Sequence, residues 1–139
     1  MSNVLSGKAS CMCGAVEMQV KDASPHVEAC HCSMCRKWGG GPLLGMQCHQ
    51  LDISGQEHVG VYDSSDWAQR SFCKQCGTHL YYGLKGKEHY FVPAGFFQEL
   101  DSMVFDEEIF IEEKPKYYDF ANDTKKLTAP EVYAKYSEG

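Results

Sequence analysis

Eight cysteines stand at positions 11, 13, 30, 32, 35, 48, 73 and 76 of a 139-residue chain, and all but Cys48 fall into close pairs or a triplet. Residues 1–10 carry no apolar segment of the kind that precedes a secretory cleavage site, so an exported disulfide framework is not expected. In a reducing compartment, closely spaced cysteines more often hold metal than pair with each other. The chain is therefore expected to fold around metal, in the cytoplasm, as one domain over residues 1–139.

Cys73-Lys74-Gln75-Cys76-Gly77 reads as half of a zinc knuckle. Two intervening residues let the chain turn so that both sulfurs face one ion, and Gly77 can take the positive φ that follows such a turn. Cys11-Met12-Cys13-Gly14 is the partner half. On an extended chain, residues i and i+2 face one side about 6.6 Å apart at Cα, so two sulfurs can converge. Four thiolates suit a tetrahedral Zn²⁺ and leave no open position, which makes Cys11, Cys13, Cys73 and Cys76 a structural site. A redox dithiol at Cys73 and Cys76 competes with this reading. That motif normally opens a helix in a βαβ setting, and no such pattern is visible.

Cys30-His31-Cys32-Ser33-Met34-Cys35 overlaps a CxC with a CxxC. Three protein ligands with an exchangeable fourth position is how a catalytic zinc is held, and a thiol entering that position is deprotonated and oriented. Other outcomes stay open. Cys48 or His49 could fold back as a fourth ligand and close the site. His31 points away from the ion if the segment is extended. The three thiols could instead cycle through a disulfide or sulfenate without metal. Arg36 and Lys37 follow, then Trp38 and Gly39-Gly40-Gly41. Beside an open thiolate site they would attract the carboxylates of an anionic thiol; elsewhere they are solvated charges at a turn.

The remaining chain reads as strands. Val16, Met18 and Val20 alternate with Glu17, Gln19 and Lys21, the pattern of a half-buried strand. Short strands are expected at 26–30, 42–49, 58–62, 69–73, 79–84, 88–93 and 107–112, separated by turn residues such as Ser54-Gly55 and Lys85-Gly86-Lys87. Only 130–137 looks helical, with Pro130 suited to a first turn. The expectation is a mostly-β fold of several small sheets with a short C-terminal helix, stapled by metal. Cys48 is expected as a small buried residue, and the tail after 114 as a surface wrap. No apolar run nears the roughly 18 residues that cross a bilayer, so no membrane is expected. Thirteen Lys and Arg against nineteen Asp and Glu give a formal charge of −6. With no cationic stripe to meet a phosphate backbone, nucleic acid is not an expected partner.

Taken in order, three motifs carry a resemblance: Gly7-x-x-x-Cys11-x-Cys13-Gly14-Ala15-Val16, Cys30-His31-Cys32-Ser33-x-Cys35-Arg36-Lys37 and Arg70-x-Phe72-Cys73-x-x-Cys76-Gly77-Thr78. Together they resemble the glutathione-dependent formaldehyde-activating enzyme family. The resemblance implies an Mss4-like β-tent of small antiparallel sheets. It also implies a structural zinc on Cys11, Cys13, Cys73 and Cys76, and a second, catalytic or labile zinc on Cys30, Cys32 and Cys35. The implied activity is that of a carbon–sulfur lyase acting on S-(hydroxymethyl)glutathione or another thiol adduct, with glutathione as co-substrate. The alternative class is a zinc-stabilised binding module, as Mss4-type proteins are. One departure stands out: relatives often carry His before the Ile-Phe of a late strand, where this chain has Glu108-Ile109-Phe110. Lys114-Pro115-Lys116-Tyr117-Tyr118 follows their Lys-x-x-Trp only loosely, so substrate choice is expected to differ. Seven thiolates with two Zn²⁺ make the formal charge three units more negative. Anionic glutathione must then be held by local cations, for which Arg36, Lys37 and Arg70 are the candidates. Arg70 could equally be a strand-surface charge or a cap on the knuckle.

Overall fold

Strands dominate, as the alternating sequence dictates. In the computed structural model, residues 5–98 and 102–137 are described. Among them are β1 (Leu5–Ser10), β2 (Glu17–Cys30), α1 (Ser33–Gly39), β3 (Leu43–Ser54), β4 (Val59–Asp63), β5 (Ala68–Cys73), β6 (His79–Leu84), β7 (Tyr90–Pro93), β8 (Val104–Ile109), β9 (Lys125–Leu127) and α2 (Ala129–Ser137). Two compact units result: Met1–Pro25 with Met46–Ser102, and His26–Gly45 with Met103–Gly139. No helix among the described residues is long and apolar enough to cross a membrane.

In the first unit the strand order is β4-β5-β6-β7-β3-β2, with β1 added on β2. The pairings β1/β2, β4/β5, β5/β6 and β6/β7 are antiparallel, joined by short turns as hairpins require. Alternation along β2 sends Met18 and Val20 inward and Gln19 out to solvent. These two side chains, with Val16, Met46, Leu80, Val92 and Phe97, form a core from which water is excluded. Cys48 is fully buried there, as its sequence context suggested.

The second unit departs from the antiparallel expectation. The end of β2 pairs with β8 in parallel, placing Cys30 opposite Ile109, and β8 pairs in parallel with β9, placing Ile109 opposite Leu127. Parallel neighbours need a crossover of a dozen or more residues, and segment 110–124 between β8 and β9 supplies one. β8 also lies three residues earlier than expected. It ends where Phe110 adopts a left-handed φ of 56° and the chain enters a 3-10 turn at Ile111–Glu113. The C-terminal helix forms as the sequence suggested. Thr128 and Glu131 cap it reciprocally: the Thr128 N–H donates to Glu131 Oε1 at 2.8 Å, and the Glu131 N–H donates to Thr128 Oγ1 at 3.4 Å. The tail is more than a wrap, because Leu127 and Val132 are buried in this unit's core.

Candidate metal centres

The first unit brings Cys11, Cys13, Cys73 and Cys76 together, with all four sulfurs within 4.8 Å of one another. Two similar turns do this. After β1, the Gly14 N–H donates to Cys11 O at 3.0 Å and the Cys11 N–H to Val16 O at 2.9 Å. After β5, the Gly77 N–H donates to Cys73 O at 2.8 Å and the Cys73 N–H to Thr78 O at 2.9 Å. Gly14 and Gly77 take φ of 81° and 80°, which L side chains resist. Backbone N–H groups turn toward sulfur, as at Val16, which donates to Cys11 Sγ at 3.3 Å.

Distances decide between metal and disulfide. Cys13 Sγ lies 3.7 Å from both Cys11 Sγ and Cys73 Sγ. A disulfide is about 2.05 Å, whereas a tetrahedron with metal–sulfur bonds of about 2.3 Å has edges of about 3.8 Å. None of the eight cysteines is in a disulfide. The proton is distributed unequally among the four. Hydrogen bonds from the Thr78 hydroxyl and backbone draw Cys76 down to about 5. At Cys13 the largest influence, a backbone hydrogen bond from Ala15, favours the thiolate. Burial and the three neighbouring sulfurs outweigh it and push Cys13 up to about 12. Four sulfurs this close cannot all ionise without a cation, and this all-thiol donor set fits a thiophilic ion such as Zn²⁺.

The second unit gathers Cys30, Cys32 and Cys35, whose sulfurs also lie within 4.8 Å of one another. Cys30 ends β2. Cys32 caps α1, its sulfur accepting the Cys35 N–H at 3.3 Å, and the first helical turn carries Cys35 back toward it. This helix was not expected from the sequence, since seven residues are too few to display a period. Ile109, Leu127 and Val132 are buried with Cys30 and Cys35, and Leu43 and Phe110 pack against the same cluster. Hydrogen bonds shared with Cys32 and Cys35, reinforced by burial, push the Cys30 thiol strongly up. A bound cation reverses that preference. Neither residue considered as a fourth ligand joins the group. The Cys48 thiol donates to Gln50 O at 3.0 Å and Lys21 O at 3.4 Å, and the His49 ring packs edge-on to His89 at 4.7 Å. Among the described residues the group therefore holds three ligand atoms, all sulfur.

His31 turns away from the sulfurs and is fully buried. Its Nε2 pairs with Glu108 Oε1 and its Nδ1 with the Tyr118 hydroxyl, each at 2.8 Å. Burial acts to raise the Glu108 pKa, but hydrogen bonds from Thr124 and His31 and the charges of His31 and Lys126 outweigh it, so the group lies below its ordinary range. An ionised carboxylate only accepts, so the His31 Nε2–H donates. Sequence reasoning missed Thr124, and missed Glu108 and Tyr118 as partners of His31. They lie 77 or more positions from His31; Glu108 and Tyr118 stood out in the sequence only as departures from the family pattern, and nothing local marks Thr124 or the contact with His31.

Among the cations, Arg36 lies in α1 with its Nε donating to His31 O at 2.9 Å, and Lys37 is exposed in the same last turn. Lys114 lies 5.3 Å above the Tyr118 ring. Arg70 belongs to β5 of the first unit and is only 3% exposed, its guanidinium 5.0 Å over the Tyr82 ring. It is not a strand-surface charge.

The fold and the two sulfur groups define a mostly-β protein with two clusters that could each hold a metal ion. The chain belongs to the glutathione-dependent formaldehyde-activating enzyme family, whose model matches residues 6–113. It is 40% identical over 125 residues to an uncharacterized lyase of Schizosaccharomyces pombe, covering 88% of this chain and 91% of that protein. A Halomonas elongata protein that carries the family's name is 33% identical over 82 residues, 52% of each chain. The match thus spans about half the length of that relative. Among solved structures, a Rhodobacter sphaeroides protein superposes with a TM-score of 0.55 at 25% identity, covering 68% of this chain and 90% of that one. Family and relatives together support a glutathione-related lyase.

Proposed function

We propose that the protein is a zinc-dependent carbon–sulfur lyase whose substrate is S-(hydroxymethyl)glutathione or a closely related thiol adduct, acting in a reducing compartment such as the cytoplasm. The chain is read as one domain whose two units each carry one metal. Cys11, Cys13, Cys73 and Cys76 would hold a structural zinc, and Cys30, Cys32 and Cys35 a catalytic one. The observation that carries this reading is the three-sulfur group, set among apolar side chains and completed by no fourth residue ligand among those described. Zinc held there would supply Lewis acidity and a coordination position that favours the thiolate form of a substrate thiol.

The chain's own groups supply binding and orientation. Arg36, with its Nε tied to His31 O, and Lys37 beside it would bind the carboxylates of a glutathione-type thiol. Ile109, Leu127 and Phe110 pack around Cys30 and Cys35 and keep water from those two, which strengthens charge interactions near them. In the lyase direction the carbon–sulfur bond breaks with its electron pair passing to sulfur, the hydroxymethyl carbon becomes a carbonyl, and the hydroxyl proton leaves to solvent. Addition is the reverse.

Native mass spectrometry of freshly purified, zinc-replete protein, with and without glutathione, tests the proposal. Two zincs and a glutathione adduct that disappears in Cys32→Ala are expected. One tightly held zinc and no adduct would overturn the enzyme reading in favour of a zinc-stabilised binding module.

A further inference from the structure

We propose that Glu108, acting through His31, is a positioning residue that holds the three-sulfur group in its metal-binding geometry. The inference rests on the reading that Cys30, Cys32 and Cys35 hold a metal.

A CxC segment leaves one residue between two ligands, so the orientation of that residue sets both neighbours. Here it is His31, and it is clamped at four points. Its ring nitrogens meet Glu108 and Tyr118 at 2.8 Å. Its backbone N–H donates to Ile109 O at 3.1 Å, and its carbonyl accepts Arg36 Nε at 2.9 Å. Glu108 and Ile109 are consecutive in β8, so one strand fixes both the ring and the backbone. The Tyr118 ring stacks on the imidazole at 5.5 Å and an interplanar angle of 28°, which closes one ring face.

The carboxylate is itself held from the other side. Thr124 Oγ1 donates to Glu108 Oε2, and Lys126 Nζ lies 3.8 Å from the same oxygen. Lys126 in turn reaches Thr124 Oγ1 at 3.0 Å. Glu108 is 2% exposed, so no water replaces these partners. Removing its carboxylate leaves a buried imidazole N–H without an acceptor, and such a group rotates or draws in water to find one. Either movement is carried through one peptide unit to Cys30 and Cys32. The same logic makes outer-shell partners of a metal site worth 10–100-fold in affinity, here applied to a residue between ligands and not to a ligand.

The test loads full-length protein with Co²⁺ and follows thiolate-to-cobalt absorption during a graded chelator titration. Wild type, Glu108→Ala, Glu108→Gln, His31→Ala and the His31→Ala/Glu108→Ala double variant are compared. Glu108→Ala is expected to release one of two ions at roughly 10–100-fold lower chelator, with the four-sulfur ion behaving as in wild type. Glu108→Gln keeps an oxygen acceptor for Nε2–H and is expected to fall between. Because Glu108 acts through His31, the double variant should release its ion no more easily than His31→Ala alone. Equal retention by Glu108→Ala and wild type, or additive effects in the double variant, would overturn the proposal. Should Glu108→Ala fail to fold, Thr124→Val must show the same selective loss to a smaller degree, and its unchanged release would be equally fatal. A wild type that takes one ion defeats both this inference and the two-zinc reading. Two ions, selectively weakened in Glu108→Ala but without any lyase activity, would defeat only the proposed function.

Discussion

Glu108 is a charge kept where water cannot reach it, and its sign can be followed with pH. Burial works against the carboxylate, while bonds from Thr124 and His31 with the nearby charges of His31 and Lys126 work for it and prevail. A folded pKa held below the ordinary 4.5 means that the group contributes stability above that value and loses it as pH falls through the depressed one. Glu108→Gln should therefore be less stable than wild type at neutral pH, yet show a smaller drop in urea midpoint between about pH 5 and pH 3. Parallel declines in the two proteins would show that Glu108 is not the linked group. Gly55 is constrained by space. It has a φ of 84°, and a Cβ there would lie 2.1 Å from the Ala15 carbonyl oxygen, in the turn that follows Cys13. Gly55→Ala is expected to cost more than about 1 kcal/mol in thermal or denaturant unfolding, and to loosen metal at the four-sulfur group as Ala15 is displaced. A variant with unchanged midpoint and unchanged metal retention would contradict this packing.

Helix α2 shows how an element of nine residues is made to hold. Beyond the Thr128–Glu131 exchange, the Ala129 N–H donates to Glu112 Oε2 at 2.9 Å, so a second carboxylate meets the first turn. Val132 anchors the helix in the cluster that surrounds Cys30 and Cys35. Thr128→Ala should cost about 0.5–2 kcal/mol by urea denaturation, while Thr128→Ser should cost much less. Equal losses in both would assign the effect to packing and not to the cap. The elements that could be read from the sequence are those with local signals. Met18 and Val20 betray β2 by alternation, Cys73 to Gly77 betray a turn by spacing, and Pro130 marks a helix start. Elements that depend on distant partners left no such mark. β1 and β9 are short strands whose pairing comes from β2 and β8, and α1 depends on a cysteine serving as its N-cap. The sulfur ligands were legible because chelation by nearby residues is a matter of spacing. The His31–Glu108 contact was not, because a buried pair 77 positions apart is visible only once β2 and β8 lie side by side.

At the scale of the molecule the two sulfur groups differ in the length of chain they close. Cys30, Cys32 and Cys35 lie within six residues, whereas Cys13 and Cys73 are separated by 60 positions. Treated as a cross-link, the longer closure removes denatured-state entropy worth on the order of 4 kcal/mol, and the shorter far less. Cys73→Ser should thus lower the unfolding midpoint of zinc-replete protein much more than Cys32→Ser. A reversed order would mean that the second unit's core, and not chain closure, dominates stability. The separation also has a meaning in time. At a synthesis rate of about 5–20 residues per second, Cys13 leaves the ribosome roughly 3–12 s before Cys73. The three-sulfur group is made, residue for residue, in well under 2 s at the same rate. From the appearance of Cys35 until that of Cys73, 38 positions later, the nascent chain carries a finished local chelator and an unfinished long-range one. The site built last in synthesis is the one whose closure ties the first unit together.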